Sequence, residues 1–355
     1  MIGATMIDLR SDTVTRPTHE MRRAIANAEV GDAVIDIDPT TDRLERLTAE
    51  ILGKEAAIFM PSGSMTNQVA VRIHCGRGTE FICEAGCHIY NWEQAAFAQL
   101  SGVVAQTVLG NDGVMVAKQL HNLIRPENDH MVRTSLVCLE NTHNRAGGRI
   151  QPPEVVEEIC AWAYRNGLRT HLDGARLWNA AAASRISEAE LARSFDSVSV
   201  CFSKGLGAPV GSALVGSRDF IAEAKRARKL FGGAMRQSGI IAAGALFAVE
   251  NNRERLVEDH AHAQLIGDAV VECELLQIVG GSIDTNIIAI AINPTWGSAK
   301  LFVLELEKLG LRCLAIGPQS IRLVTHLDVS RSDIEQACDI LRRVASTCET
   351  SAVAH

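Results

Sequence analysis

The chain has 355 residues, of which 47% are hydrophobic and 22% charged, and a formal net charge of −7. That length exceeds one ordinary core and predicts a large domain beside a smaller one. The acidic balance leaves no basic footprint for nucleic acid or an anionic membrane, and the longest apolar run, Gly239 to Val249, is too short to cross a bilayer.

Taken in order, Met1 to Arg10 carries one basic residue and no long apolar core, so no signal peptide is expected there. From about Ala56 to Arg228 strand and helix patterns alternate, which predicts an α/β domain on a largely parallel sheet. The apparent strands are Ala56–Met60, Glu80–Cys83, Val103–Val108, Ser135–Leu139, Arg169–Leu172, Val198–Phe202 and Ser212–Val215. Ser64–Cys75, Pro152–Asn166 and Asp219–Leu230 read as crossover helices between them. A helical pattern then runs from Gly239 through Gln277, with Asn251-Asn252 as its interruption. Strands at Asn286–Ile292, Leu311–Ile316 and Ser320–Val324 and a helix at Ser298–Leu309 follow, and Ser330 with Asp333 resembles a capping box opening a last helix. The division expected is a large domain over residues 1–250, with an N-terminal arm, and a small α+β domain over 251–355.

Ten cysteines are scattered, most in apolar company, as in a reduced and cytoplasmic protein. Cys83, Cys87 and His88 invite a metal reading, but no second pair with ligand spacing accompanies them, so no metal is expected.

In an open α/β sheet, ligands sit beyond the carboxyl ends of the strands. There the chain places its polar residues. Gly63-Ser64 opens a helix, offering N–H groups and the dipole to a phosphate, or simply a cap. His88 follows the second strand and suits stacking or proton transfer, or an ordinary histidine position. Glu140-Asn141-Thr142-His143-Asn144 is a dense polar cluster straight after an apolar strand. Asp173 closes the fifth strand, where it would serve a pyridine nitrogen or pair with Arg176. Val198–Phe202 ends in Ser203-Lys204-Gly205, and a desolvated lysine among glycines suits a Schiff base with pyridoxal phosphate, whereas a surface turn is the plain alternative. Arg226 to Gln237 is a basic stretch containing Lys229 and Arg236, and Arg322 lies in an apolar strand, fit for an α-carboxylate or an internal acid.

In this order the motifs resemble the low-specificity L-threonine aldolases, of the β-eliminating lyase superfamily and the fold type I of pyridoxal phosphate enzymes. The resemblance runs through Asp8-Leu9-Arg10-Ser11-Asp12-Thr13-Val14-Thr15-Arg16-Pro17, Gly53-Lys54-Glu55, Glu140-Asn141-Thr142-His143-Asn144, Asp173-Gly174-Ala175-Arg176, Ser203-Lys204-Gly205-Leu206-Gly207, Gly233 to Gly239 and Arg322 to His326. It implies fold type I, with a mostly parallel seven-stranded sheet in the large domain. Lys204 would carry the cofactor, Asp173 would meet its ring nitrogen, Arg176 its phenolate side, His88 its face, and Gly63 with Ser64 its phosphate. Ser11 and Arg322 would grip the substrate carboxylate. His143 and Arg176 would lie near the substrate, with His143 and His88 the candidates for proton transfer. Lys229 and Arg236 would reach a neighbouring subunit's site in a homotetramer. The activity implied is cleavage of threonine, allo-threonine or a related β-hydroxy-α-amino acid to glycine and an aldehyde. Same-fold alternatives are β-elimination and racemisation, and a non-catalytic cofactor-binding protein is the remote one. Two departures stand out. Val34-Ile35-Asp36-Ile37-Asp38-Pro39 replaces the family's Val-Tyr-Gly-Asp-Asp-Pro pattern, and Trp92 stands where a smaller aromatic is common, which points toward a phenyl-bearing substrate.

Overall fold

The structure, a computed structural model, describes residues 6–347. A short strand β1 (Ile7–Asp8) precedes the seven strands of the central sheet: β2 (Ala56–Met60), β3 (Thr79–Glu84), β4 (Val104–Val108), β5 (Arg133–Glu140), β6 (Arg169–Gly174), β7 (Ser197–Cys201) and β8 (Ser212–Gly216). Their order is β2-β8-β7-β6-β5-β3-β4. Only β8 runs against its neighbours β2 and β7. All seven strands lie where the apolar runs place them. Strands buried on both faces read as continuous apolar runs, and every residue of β7 is buried.

Side chains alternate between two cores, as the two-residue repeat of a strand requires. Ala57 and Phe59 of β2, with Ala213 and Val215 of β8, join the largest cluster, whereas Ile58, Met60 and Leu214 join another with Val69, Ile221 and Ala224. Each of the larger side chains contributes about 1.5–3 kcal/mol on burial. The helices Gly63–His74 and Arg218–Leu230 cover the second face beside each other.

The helical pattern after Gly239 divides. Helix Gly239–Asn251 ends at Asn252, a second helix covers Leu256–Val271, and Leu276–Ile278 is a strand, β9, rather than helix. β9 pairs with β10 (Ile287–Ile292), and this long-range pairing overrides the local pattern. The single strand expected over 311–316 also divides at Cys313. β11 (Leu311–Arg312) pairs with β1, while β12 (Leu314–Gly317) joins β13 (Ser320–Val324) in an antiparallel sheet of order β12-β13-β10-β9. Ser330 and Asp333 do form a capping box on the last helix, Arg331–Ser346.

The apolar cluster of this C-terminal region takes in Ala263 to Ala345, and also Ile7 and Leu9. The N-terminal arm therefore packs with the C-terminal segment, not with the large sheet. That placement carries residues 10–12 to the ends of the large sheet's strands.

Candidate active site

Three adjacent strands carry the chemistry at their carboxyl ends. Glu140 of β5 is in register with Asp173 of β6, and Asp173 with Ser199 of β7. Past Cys201 the chain turns, and Lys204 sits half-buried in that turn, its carbonyl accepting from Gly207 N–H at 2.7 Å. Gly207 has φ +77°, a left-handed conformation glycine adopts at no steric cost.

Asp173 is buried. Its Oδ1 accepts from Ala175 N–H at 3.1 Å and its Oδ2 from Asn67 Nδ2 at 2.9 Å. The Asn67 amide also donates to Glu93 Oε1 at 2.9 Å, and the same oxygen meets His88 Nδ1 at 2.9 Å. Burial opposes the charge on His88, but the Glu93 hydrogen bond and the Asp173 and Glu93 carboxylates outweigh it and hold the imidazole above its ordinary 6.5. His88 Nε2 has no hydrogen-bond partner among the described residues, and the side chain is 32% exposed.

His143 is placed differently. It is 2% exposed, with Nε2 at 2.9 Å from Glu84 Oε2 and Nδ1 accepting from Ala146 N–H at 3.3 Å. Both ring nitrogens are thus engaged within the chain. Glu84 and Glu140 anchor the loops around it. Glu140 accepts from His88 N–H at 2.6 Å and Asn144 N–H at 2.8 Å, and its carboxyl is pushed up by burial.

Arg176 is buried and makes a two-pronged pair with Asp12, Nε to Oδ2 at 2.8 Å and Nη2 to Oδ1 at 2.7 Å. Its partner is Asp12 of the arm, and not Asp173. Burial raises the Asp12 carboxyl, yet Arg176, with Lys204 and Asn286, brings it down to about 2. Ser11 lies next to Asp12 and caps its short helix.

Arg322 has no carboxylate partner among the described residues. Nη1 donates to Asn144 Oδ1 at 2.9 Å and Nη2 to the Arg10 carbonyl at 3.4 Å, while its Nε is buried and unpartnered. Burial, then the charges of Arg176 and Arg145, hold it down to about 10. The internal acid allowed by the sequence is not there.

Gly63 and Ser64 form the first turn of helix Gly63–His74, whose N-cap hydroxyl, Ser62 Oγ, accepts from Met65 N–H. A Cβ on Gly63 would lie 2.7 Å from Cys201 Sγ, so glycine lets this helix end approach the strand that leads to Lys204. Lys229 and Arg236 make no hydrogen bond to the residues of this group. Lys229 is exposed at the end of its helix, and Arg236 is paired with Asp32 at 3.0 Å. Of the departures, Ile35 and Ile37 are 81% and 58% exposed, whereas Asp38 is buried and caps the helix Pro39–Ile51. Trp92 is 53% exposed, with the Arg145 guanidinium 4.8 Å from its ring centroid. Cys83 and Cys87 are buried, and the Cys87 thiol is pushed far up by its hydrogen bond to Cys83 and by burial.

Sequence reasoning singled out Lys204, Asp173, His88, His143, Arg176, Arg322 and Ser11 and missed Asn67, Glu84, Glu93 and Asp12. Thr66, Asn67 and Gln68 are three consecutive polar residues, all buried, in a helix that packs on the sheet. Such a run inside an amphipathic pattern was the available signal.

The group fits a phosphorylated pyridine aldehyde. A lysine amine with no ion-pair partner among the described residues, a buried carboxylate on the neighbouring strand and a helix N-terminus carrying a phosphate's preferred donors stand together. A family model described as beta-eliminating lyase matches residues 8–293. The chain is 41% identical over 95% of its length to the probable low-specificity L-threonine aldolase 2 of Arabidopsis thaliana, covering 97% of that protein. It is also 41% identical over 93% of its length to the low specificity L-threonine aldolase of Escherichia coli, covering 97% of it. A solved structure described as Leishmania major threonine aldolase superposes with a TM-score of 0.82 at 20% identity, covering 96% of this chain and 100% of that one. The chain belongs to the beta-eliminating lyase family, and within it to the relatives that carry the low-specificity L-threonine aldolase name.

Proposed function

We propose that the protein is a pyridoxal phosphate-dependent aldolase that cleaves a β-hydroxy-α-amino acid, threonine or allo-threonine among them, to glycine and an aldehyde. The observation that carries this reading is Arg322, a cation set beside the strand ends with a buried, unpartnered Nε and no acid of its own. A ligand carboxylate answers that arrangement.

Held on Lys204, the cofactor supplies an electron sink for the pair released when a bond at Cα breaks. Asp173 keeps a proton at the ring nitrogen, and the helix end at Gly63 and Ser64 receives the phosphate. Arg322, with Ser11 nearby, holds the substrate carboxylate and so fixes rotation about Cα, which decides which of its bonds lines up for cleavage. The β-hydroxyl proton then passes to a base. His88 is better suited than His143, because its Nε2 is open and Glu93 supports the charge that develops on the ring. His143 acts as a prop between Glu84 and the 144–146 turn. Arg176 is committed to Asp12, and its part is to hold the arm that carries Ser11 against the site. Base help of this kind is worth about two to four orders of magnitude.

Three finer readings accompany this one. A homotetramer is supported by the exposed Ile35 and Ile37 and by the exposed Lys229. Trp92, exposed and touched by Arg145, is read as the side chain that meets a phenyl-bearing β-substituent. A cytoplasmic setting agrees with the nine free cysteines among the described residues.

The test is the purified protein with L-allo-threonine and with L-threonine. Glycine and acetaldehyde are expected in equal amounts, together with a visible cofactor band that Lys204→Ala abolishes. 2-Oxobutanoate with ammonia, or an inverted amino acid, in place of aldehyde would refute the aldolase reading.

A further inference from the structure

A second buried polar system leads away from the site, on residues the proposed reaction has not used. Asn67 donates both amide protons to carboxylates, one to Glu93 Oε1 and one to Asp173 Oδ2, each at 2.9 Å. Its Oδ1 is left as an acceptor, and the neighbour is His171 Nε2 at 3.1 Å. The proton of His171 therefore sits on Nε2. Its bare Nδ1 must accept, and Ser197 Oγ lies 2.8 Å away. A hydroxyl has one proton to give. Having given it to His171, Ser197 Oγ accepts from His74 Nε2 at 2.7 Å.

Every link points the same way, from His74 through Ser197, His171 and Asn67 to Asp173. The interior of the chain is sealed, with Asn67 at 1%, His171 at 0% and Ser197 at 0% exposure. Burial pushes His171 down to about 4 and His74 to about 3, so both rings are neutral and the direction persists across the working pH range. At the far end His74 stacks on Phe220, ring centroids 4.7 Å apart at 16°. Both rings line a cleft of about 750 Å³ where Arg169 begins β6, the strand whose other end is Asp173.

We propose that His74, Ser197 and His171 form a one-way hydrogen-bond chain that orients the Asn67 amide and thereby positions Asp173 for the ring nitrogen of the cofactor. The proposal rests on the cofactor reading above, and makes His171 a positioning residue for the reaction. The physical step is a choice between two amide orientations. Turned by 180°, Asn67 would aim its oxygen at two carboxylates and its NH2 at a ring nitrogen that already bears a proton. His171 Nε2–H removes that alternative only while Nδ1 stays unprotonated, and Ser197 keeps it so. With Asn67 fixed, one Asp173 oxygen is held by the amide and the other by Ala175 N–H. The plane of the carboxylate is thereby set. Linked donors also polarise one another, so the chain strengthens its last bond.

Ser197→Ala removes the middle link with the smallest change in volume. In that variant the cofactor dissociation constant is expected to rise about tenfold and kcat to fall about tenfold, the scale seen when outer partners of a site are lost. KM is expected to stay within about twofold, and the pH midpoint of the visible cofactor band to move up. His171→Asn, which retains a side-chain donor, is expected to recover part of the loss. A variant that only melts at lower temperature, with cofactor affinity and band midpoint as in the parent, would reduce the chain to a structural network and overturn the proposal. The second measurement needs no variant. ¹⁵N-histidine spectra of the protein without cofactor should give His171 as the neutral Nε2–H tautomer from pH 5 to 9, and an Nδ1–H tautomer would also overturn it. Neither readout depends on the product formed, so a failed aldolase assay and a failed chain are distinguishable.

Discussion

Replacing Arg322 by methionine separates binding from stability. The guanidinium is held down to about 10 from an ordinary 12.5 by burial and by the charges of Arg176 and Arg145. Since each tenfold in proton affinity is worth about 1.4 kcal/mol, the charged form is disfavoured in the folded protein by about 3 kcal/mol at most. Because the folded value lies far above neutrality, this burden is constant between pH 5 and 9. Methionine removes it, along with the 2.9 Å bond to Asn144, which is worth about 1 kcal/mol. Arg322→Met should therefore be more stable by about 1–2 kcal/mol and melt a few degrees higher. Function moves the other way. Truncating one partner of a hydrogen-bonded charge pair costs about 2–5 kcal/mol, which predicts a fall in kcat/KM of at least about thirtyfold. Differential scanning fluorimetry and aldehyde release read the two effects on one preparation. Glycine, whose carboxylate occupies the same place, should raise the melting temperature of the parent and leave the variant unmoved. A variant that melts well below the parent and keeps kcat/KM within about threefold would show Arg322 to be a strut, and the reasoning would fail.

Asp12→Asn leaves Arg176 buried without its counter-charge and should lower stability by about 3–5 kcal/mol in urea unfolding. The Asp12 carboxyl is depressed from 3.8 to about 2, so its contribution is present above pH 4 and is lost as pH falls through 2; the parent should lose about 2 kcal/mol there that the variant does not. His88 is raised above 6.5, so the stability it gains is complete below that pH and disappears as pH climbs through the folded value; in Glu93→Gln that alkaline decline in the urea midpoint should be shallower. Gly63→Ala sets a methyl 2.7 Å from Cys201 Sγ and should cost about 1–3 kcal/mol as overpacking, with weaker cofactor retention after dialysis. Unchanged retention would mean that this helix end does not hold the phosphate.

The large sheet was legible because its central strands are mostly buried on both faces and read as apolar stretches, while the edge strand β4 is partly exposed. Lys204, Asp173 and His88 were legible for the same reason, as costly polar residues where such runs stop. What could not be read depended on pairing over long range. Leu276–Ile278 has the composition of the helix it follows and becomes a strand only because β10 lies beside it. Cys313 separates two short strands by sending each to a different sheet, and nothing local to the segment announces that division. Arg176 was open to a partner in Asp173, three positions away, and found one in Asp12, which is remote in sequence. The family resemblance makes His143 a candidate for proton transfer, while the packing of Glu84 and Ala146 against it is a fact of tertiary structure alone.

The arm explains why one arginine remains for a ligand. Arg176 and Arg322 lie within electrostatic reach of each other, and Asp12 attracts both. Had Asp12 bridged them, each would be partly satisfied and a substrate carboxylate would meet a neutralised site. The arm excludes that outcome by geometry. Ile7 and Leu9 fix it in the C-terminal core, and Asn286 Nδ2 contacts Asp12 Oδ2 at 3.3 Å, so the carboxylate faces the Arg176 fork with both oxygens. A bidentate pair saturates the planar guanidinium edge it meets, and with Asn286 on Oδ2 it fixes the carboxylate plane toward Arg176. The positive charge that remains on Arg322 is thus a consequence of how β1 docks on β11. Loosening that docking should free Asp12 to reach Arg322 and weaken substrate binding.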